Sequence, residues 1–461
     1  MIELFFWISL ILLTGSHLFG IYLAKATPSI GTPSTIIFAY SLAKTAPYSL
    51  LTFLDKTIID QRVLQGMQQI GAEETIVIFN SLYSIFVFCI AISLRVVGGY
   101  KLERFAIKRI TSLRLKESIQ GNSLAFWVFL IASFCLAYYK YKAIGGLDAT
   151  IFSTAFDRGE STAGSGYVKT LADTALSLVS TLALIAYLRD RSRKHLLLFI
   201  LTLLVATLSF SLTGGRKALL QHSIIMLAIA YAYGARPKII SPKPALFVAA
   251  LLVYFLGILY QRLPETQREI AFEQRGSIAK TIVVSFLANF SYNETYYFII
   301  GQSSFHKIYS GATFADIIMA PIPSSAYPEK PPIDEGVYVK AAADGHYIVP
   351  PIAYKNFEGA GSWPPETFGN FIMNFSILSI PIASAFYAVG ITLIIRLTKH
   401  LPPALALYII YHSALNFQIS NLRIMNLLSL LIIGGAAFFF LYYLPKQIFA
   451  KQKSLPPIIH K

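Results

Sequence analysis

What most constrains this chain is a succession of apolar runs, each about as long as the hydrocarbon core of a bilayer is thick. A helix rises ~1.5 Å per residue, so about 20 apolar residues cross ~30 Å of lipid. Such runs lie at 4–24, 34–54, 75–95, 123–141, 168–188, 195–212, 217–234, 244–261, 367–396, 403–421 and 425–444. Lipid offers a backbone no hydrogen-bond partner, so a chain of this kind must fold as a bundle of helices. The expectation is an all-α polytopic membrane protein with about 11 transmembrane helices. A further candidate at 281–300 is interrupted by Asn289, Tyr292, Asn293 and Glu294 and reads as an interfacial or re-entrant segment.

Composition agrees: only 13% of the residues are charged, against about 25% in soluble domains. The net charge of +16 would suit nucleic acid. The basic residues fall instead in short segments between apolar runs, which is the mark of topology. No soluble module remains to form a nucleic-acid groove. Cys89 and Cys135 both sit inside apolar runs and read as small buried hydrophobes. Met1-Ile2-Glu3-Leu4 lacks a basic leader, so the first run is expected to stay as a span. HExxH, CxxC and Walker A patterns are absent, and neither a cofactor nor a metal is expected.

Orientation follows from the basic segments. Residues 95–119, 189–195 and 236–243 and the tail from Lys446 are rich in Lys and Arg, and all fall on one side of the expected spans. By the positive-inside rule that side is the cytoplasm. Residues 142–167, 213–216 and 262–366 then lie outside. The chain divides into about eight spans over 1–261, an outer cap over 262–366, three spans over 367–446 and a basic tail over 447–461. The cap is too aromatic and too weakly charged for a disordered tail, so an ordered structure is expected.

Polar residues concentrate where the cap meets the last spans. Gly359 to Phe371 reads Gly-Ala-Gly-Ser-Trp-Pro-Pro-Glu-Thr-Phe-Gly-Asn-Phe and runs into an apolar helix expected over Ile372–Ile395. Glu366, Asn370 and Asn374 recur every four residues and share one helix face, beside the interface-seeking Trp363. Such a stripe must face protein, water or a polar substrate. Helix capping by Glu366 and helix–helix hydrogen bonds by the two amides remain an alternative. Tyr408, His412, Asn416 and Ser420 form a second stripe of the same spacing, and Arg423 follows at its outer end. His412 suits proton shuttling or a structural role. Outer arginines form a third group: Arg158, Arg216 with Lys217, Arg262, Arg268 and Arg275. A guanidinium grips a diphosphate bidentately, although nearby acids such as Glu265, Glu269 and Glu273 offer plain ion pairs.

Two of these segments carry a resemblance to a known family. The Thr213-Gly214-Gly215-Arg216-Lys217 step into a span, and the long outer loop ending in Pro-Pro-Glu-Thr-Phe-Gly-Asn-Phe, resemble the Wzy-type O-antigen and capsule polymerases. The Arg-x10-Gly spacing of some members is not met at Arg158. The resemblance implies a GT-C-like fold shared with O-antigen ligases and an active site facing the periplasm. It also implies inverting, metal-independent joining of undecaprenyl-diphosphate-linked repeat units, beside a chain-length regulator protein. Glu366 or His412 would then take the acceptor proton. Arg216, Lys217, Arg262, Arg268, Arg275 and Arg158 would hold the donor diphosphate. Trp363, Asn370, Asn374, Tyr408, Asn416, Arg423 and Tyr292 would bind glycan and acceptor. A ligase with the same donor, or a flippase with charges at mid-bilayer and two similar halves, are the rivals.

Overall fold

The computed structural model describes residues 1–24, 32–112, 123–143, 166–212, 216–233, 287, 290–303, 309–319, 322, 326–327, 329–348, 350 and 361–443. Among these the regular structure is all helical. In chain order the helices are α1 (Ile2–Ala24), α2 (Pro33–Leu54), α3 (Gln61–Met67), α4 (Ala72–Val96), α5 (Gly99–Ser112), α6 (Ser123–Ala143), α7 (Gly166–Asp190), α8 (Arg193–Leu212) and α9 (Arg216–Ala232). They continue as α10 (Asn293–Ser303), α11 (Ala312–Met319), α12 (Gly336–Ala343), α13 (Glu366–Phe375), α14 (Ile380–Thr398), α15 (Pro403–Asn416) and α16 (Asn421–Phe438).

Six segments among the described residues are long and apolar enough to cross a membrane: Ile2–Ala24, Ala72–Val96, Val168–Asp190, Arg193–Phe210, Ile377–Thr398 and Asn421–Tyr443. This is a multi-pass membrane protein. Its outer surface carries the expected sign: Ile382, Phe386, Val389, Leu393 and Leu397 of α14 are exposed, spaced as one helical stripe. The opposite stripe, Ala383, Tyr387, Ala388, Ile391 and Ile395, is buried against α4 and α15. Lipid solvates the first stripe and protein the second.

α2 departs from this pattern. It is 22 residues long but buries Ser34, Thr35, Lys44, Thr45, Ser49 and Thr52. Its hydroxyls are satisfied within the protein: Ser49 donates to Asn80 on α4 at 2.7 Å, and Thr52 to its own backbone. At its start, Ser34 gives both its backbone N–H and its hydroxyl to Glu103 of α5, each at 2.6 Å. That carboxylate satisfies amides that a helix's first turn leaves open. α2 is therefore an inner helix, wrapped by protein.

Two expected helices are broken. The run 367–396 folds as α13, a 3-10 turn at Ile377–Ser379 and α14. Ser376 makes the break at φ 68°, with its backbone N–H still bonded to Ile372 O at 2.9 Å. The run 403–421 stops at Asn416, and α16 starts at Asn421, before the expected 425. Irregular backbone at membrane depth survives only inside protein. Here the stretch after Asn416 is satisfied by the first turn of α13: the Thr367 hydroxyl donates to Gln418 at 2.6 Å, and Ile419 N–H donates to Thr367 Oγ1 at 2.7 Å.

α10 carries most of the described part of 281–300, and it lies within protein: Tyr296, Tyr297, Phe298, Ile299 and Ile300 are all buried. It crosses α3 so closely that a Cβ on Gly301 would lie 2.5 Å from Gly66 O. Small residues allow that approach. Residues 55–67, 309–319, 329–348 and 361–366 cover one end of the bundle. Arg62 of α3 fastens them, pairing with Asp60 at 2.6 Å and with Asp344 beyond α12 at 3.0 Å.

Candidate functional site

Beneath this cap, side chains from five helices and the segment before α10 meet. On α2, Tyr40 and Lys44 are one helical turn apart and share a face. Lys44 is buried and forms an ion pair with Glu366, the first residue of α13. Lys44 Nζ also lies 4.2 Å above the Tyr292 ring, close enough for a cation–π attraction. The Tyr296 hydroxyl donates to Glu366 Oε2 at 3.0 Å. Arg423, on the first turn of α16, points at the Tyr292 hydroxyl at 3.5 Å. Gln221 of α9 donates to the Tyr40 hydroxyl at 3.3 Å and to Leu415 O at 3.2 Å. Tyr292 thus has one cation on its face and another at its hydroxyl.

Glu366 is held in an unusual backbone state. Its φ is 49°, in the left-handed region that a side chain disfavours. Such a conformation costs about 1–3 kcal/mol and persists where surroundings over-determine it. Pro364 and Pro365 lead into it, the ion pair and the Tyr296 bond fix its carboxylate, and Gly369 lets α13 press against Ile299 and Tyr296 of α10.

Two further carboxylates belong to the cap. Glu335 receives Asn421 N–H at 3.1 and 3.2 Å and meets the Ser420 hydroxyl, so it caps α16 from outside. Burial pushes Glu335 up to about 8, with the neighbouring Asp334 as the second cause. Burial also raises Asp334, against the pull of the Ser362 hydroxyl, Gly336 N–H and Arg423.

The structure redistributes the roles expected from sequence. Glu366 and Asn370 share α13 as expected, but the charge facing Glu366 is Lys44, which the sequence reading did not single out. A lysine in the middle of a hydroxyl-rich apolar run was the available signal. Asn370 donates to Ile419 O at 3.3 Å, and Asn374 donates to Thr313 Oγ1 and Asn370 O, both at 2.8 Å. Both amides are fully buried and tie cap to bundle, the hydrogen bonding that the alternative reading described. Trp363 packs edge-on to Phe298 and carries Arg62 at 5.2 Å, so it braces the cap. Tyr408 turns away and donates to Thr174 O of α7 at 3.2 Å. Asn416 bonds back to His412 O at 3.1 Å, and Ser420 lies beyond the end of α15, so the second stripe is not continuous. The His412 ring lies 5.6 Å from the Tyr408 ring and tilted 47° to it, with Arg423 and His222 nearby.

Arg158, Arg262, Arg268 and Arg275, the span 244–261 and the tail lie outside the described residues, as do the side chains of Arg216 and Lys217 at the start of α9. Lys44 stands midway along the 22 residues of α2, so the ion pair lies ~15 Å from either end of that helix. Comparison of the chain with family models, curated proteins and solved structures gives no match.

Proposed function

We propose that this protein is a polymerase-type glycosyltransferase that passes an undecaprenyl-diphosphate-linked glycan onto a hydroxyl of the next lipid-linked repeat unit. The observation that supports it is the site under the cap: one carboxylate, Glu366, beside two cations, Lys44 and Arg423, and the three tyrosines Tyr40, Tyr292 and Tyr296. The reaction breaks the bond from the sugar's anomeric carbon to the diphosphate oxygen, and charge develops on the leaving diphosphate. Fixed cations in a site screened from water stabilise that charge without reorganising. The acceptor hydroxyl gives its proton to a carboxylate as the new glycosidic bond forms. Tyrosine rings and hydroxyls suit sugar faces and edges. A GT-C-like bundle of about eleven spans in a bacterial inner membrane, with its cap in the periplasm, belongs to the same reading. So does a neighbouring chain-length regulator.

One observation favours a second reading, a lipid-glycan transporter. The Lys44–Glu366 pair lies midway along α2 beside broken helices, where transporters place their substrate and ion sites. One experiment separates the two. A strain carrying Glu366→Gln or Arg423→Gln at normal protein levels should display single repeat units and no long chains. A full ladder from both variants would remove the polymerase reading. Lipid-linked units trapped on the cytoplasmic leaflet would favour transport.

A further inference from the structure

We infer that the Lys44–Glu366 ion pair is a counter-ion lock, opened when a diphosphate ester takes Lys44 and Arg423 and leaves Glu366 to receive a proton. The inference rests on the reading above and deepens it by naming the diphosphate's ligands and the order of events.

Arg423 carries the argument. Among the described residues it has no carboxylate within 4.0 Å; its polar contact is the Tyr292 hydroxyl at 3.5 Å. It is only half buried, whereas Lys44 and Glu366 are buried. Asp334 acts on Arg423 at longer range and is engaged by Gly336 N–H at 3.0 Å. Through Tyr292, which touches both cations, the guanidinium and the ammonium are held as neighbours. A planar fork and a point charge side by side match two linked phosphate groups. An anion that takes Lys44 draws on the same ammonium as Glu366 and repels that carboxylate, so its arrival weakens the ion pair. The left-handed backbone at Glu366 is then held in the ligand-free state and relaxes as the lock opens. In the reaction the leaving diphosphate takes the electron pair of the anomeric C–O bond, and the acceptor's proton goes to the Glu366 carboxylate.

The test measures binding and needs no turnover. Full-length protein in nanodiscs is titrated with undecaprenyl diphosphate, and in a parallel arm with inorganic diphosphate. Wild type should bind the lipid; equal affinity for the inorganic ion would show that the anion alone is recognised. Glu366→Gln removes the competitor and should bind at least about threefold more tightly. Lys44→Met alone leaves a buried carboxylate unpaired and can fail to fold, so Lys44→Met/Glu366→Gln is the informative variant. It should bind at least tenfold more weakly than Glu366→Gln, and Arg423→Gln should bind more weakly than wild type. Unchanged or weaker binding by Glu366→Gln, or wild-type binding by the double variant, overturns the lock. Binding that follows this pattern in a strain whose glycan ladder is unaffected would keep the lock and reject the polymerase.

Discussion

Replacing Gly301 by alanine tests how the site is positioned. Gly301 lies on α10 and crosses Gly66 on α3. The new Cβ would stand 2.5 Å from Gly66 O, 3.1 Å from Gly66 C and 3.4 Å from Met67 Cα. All three are backbone atoms, so no side chain can swing aside. Overpacking of that kind costs about 1–3 kcal/mol, and a contact with backbone belongs at the upper end. Against this, alanine improves a helix interior over glycine by about 1 kcal/mol. The net expectation is a loss of about 1–2 kcal/mol. Gly435 of α16 supplies the internal control: it is exposed and a Cβ there meets nothing within 4 Å. Gly435→Ala should therefore gain up to about 1 kcal/mol. Unfolding of both variants in mixed micelles, followed by circular dichroism against SDS fraction, reads the difference. Because α10 also carries Tyr296, which holds Glu366, Gly301→Ala should lose activity as well. A Gly301→Ala protein as stable as Gly435→Ala would refute the close α3–α10 crossing.

Further outcomes are expected. Lys44→Met should destabilise by about 3–5 kcal/mol, since it strands a buried carboxylate, and Lys44→Met/Glu366→Gln should recover most of that in the same titration. Glu335 is raised to about 8 in the folded state from an ordinary 4.5. Its folded form therefore holds a proton that the unfolded chain has lost, and its contribution to stability, full below pH 4.5, fades as pH rises through 8. The melting temperature should fall from pH 5 to pH 8, and a slope unchanged in Glu335→Gln would contradict this. In a protein lacking Cys89 and Cys135, single cysteines at Thr57 and Tyr327 should react with an impermeant thiol reagent from one side of the membrane, and one at Lys399 from the other. Labelling of Thr57 and Tyr327 from opposite sides would break the cap apart. Arg62→Ala should cost under about 1 kcal/mol, as a half-exposed ion pair does, and high salt should mimic it; a loss of several kcal/mol would show that the cap hangs on that residue.

The apolar runs alone determined that this chain is a helical, multi-pass membrane protein, because continuous apolar runs of about 20 residues satisfy their backbone in lipid as helices, whereas barrel strands are about half as long. The spacing of Glu366, Asn370 and Asn374 likewise placed them on one face before any coordinates. Local pattern could not place Lys44, since its partner lies 322 residues away along the chain. Nor could it foresee that two long apolar runs break at Ser376 and after Asn416, since hydropathy measures affinity for lipid and is blind to continuity of the backbone. Asn370 and Asn374 illustrate the same limit from the other side. A buried amide beside lipid must find a partner, but whether that partner is a ligand or Thr313 and Ile419 depends on which helix packs opposite. Tertiary packing decided it, bringing a cap helix and a broken span against α13 so that protein, rather than lipid or water, satisfies each polar group.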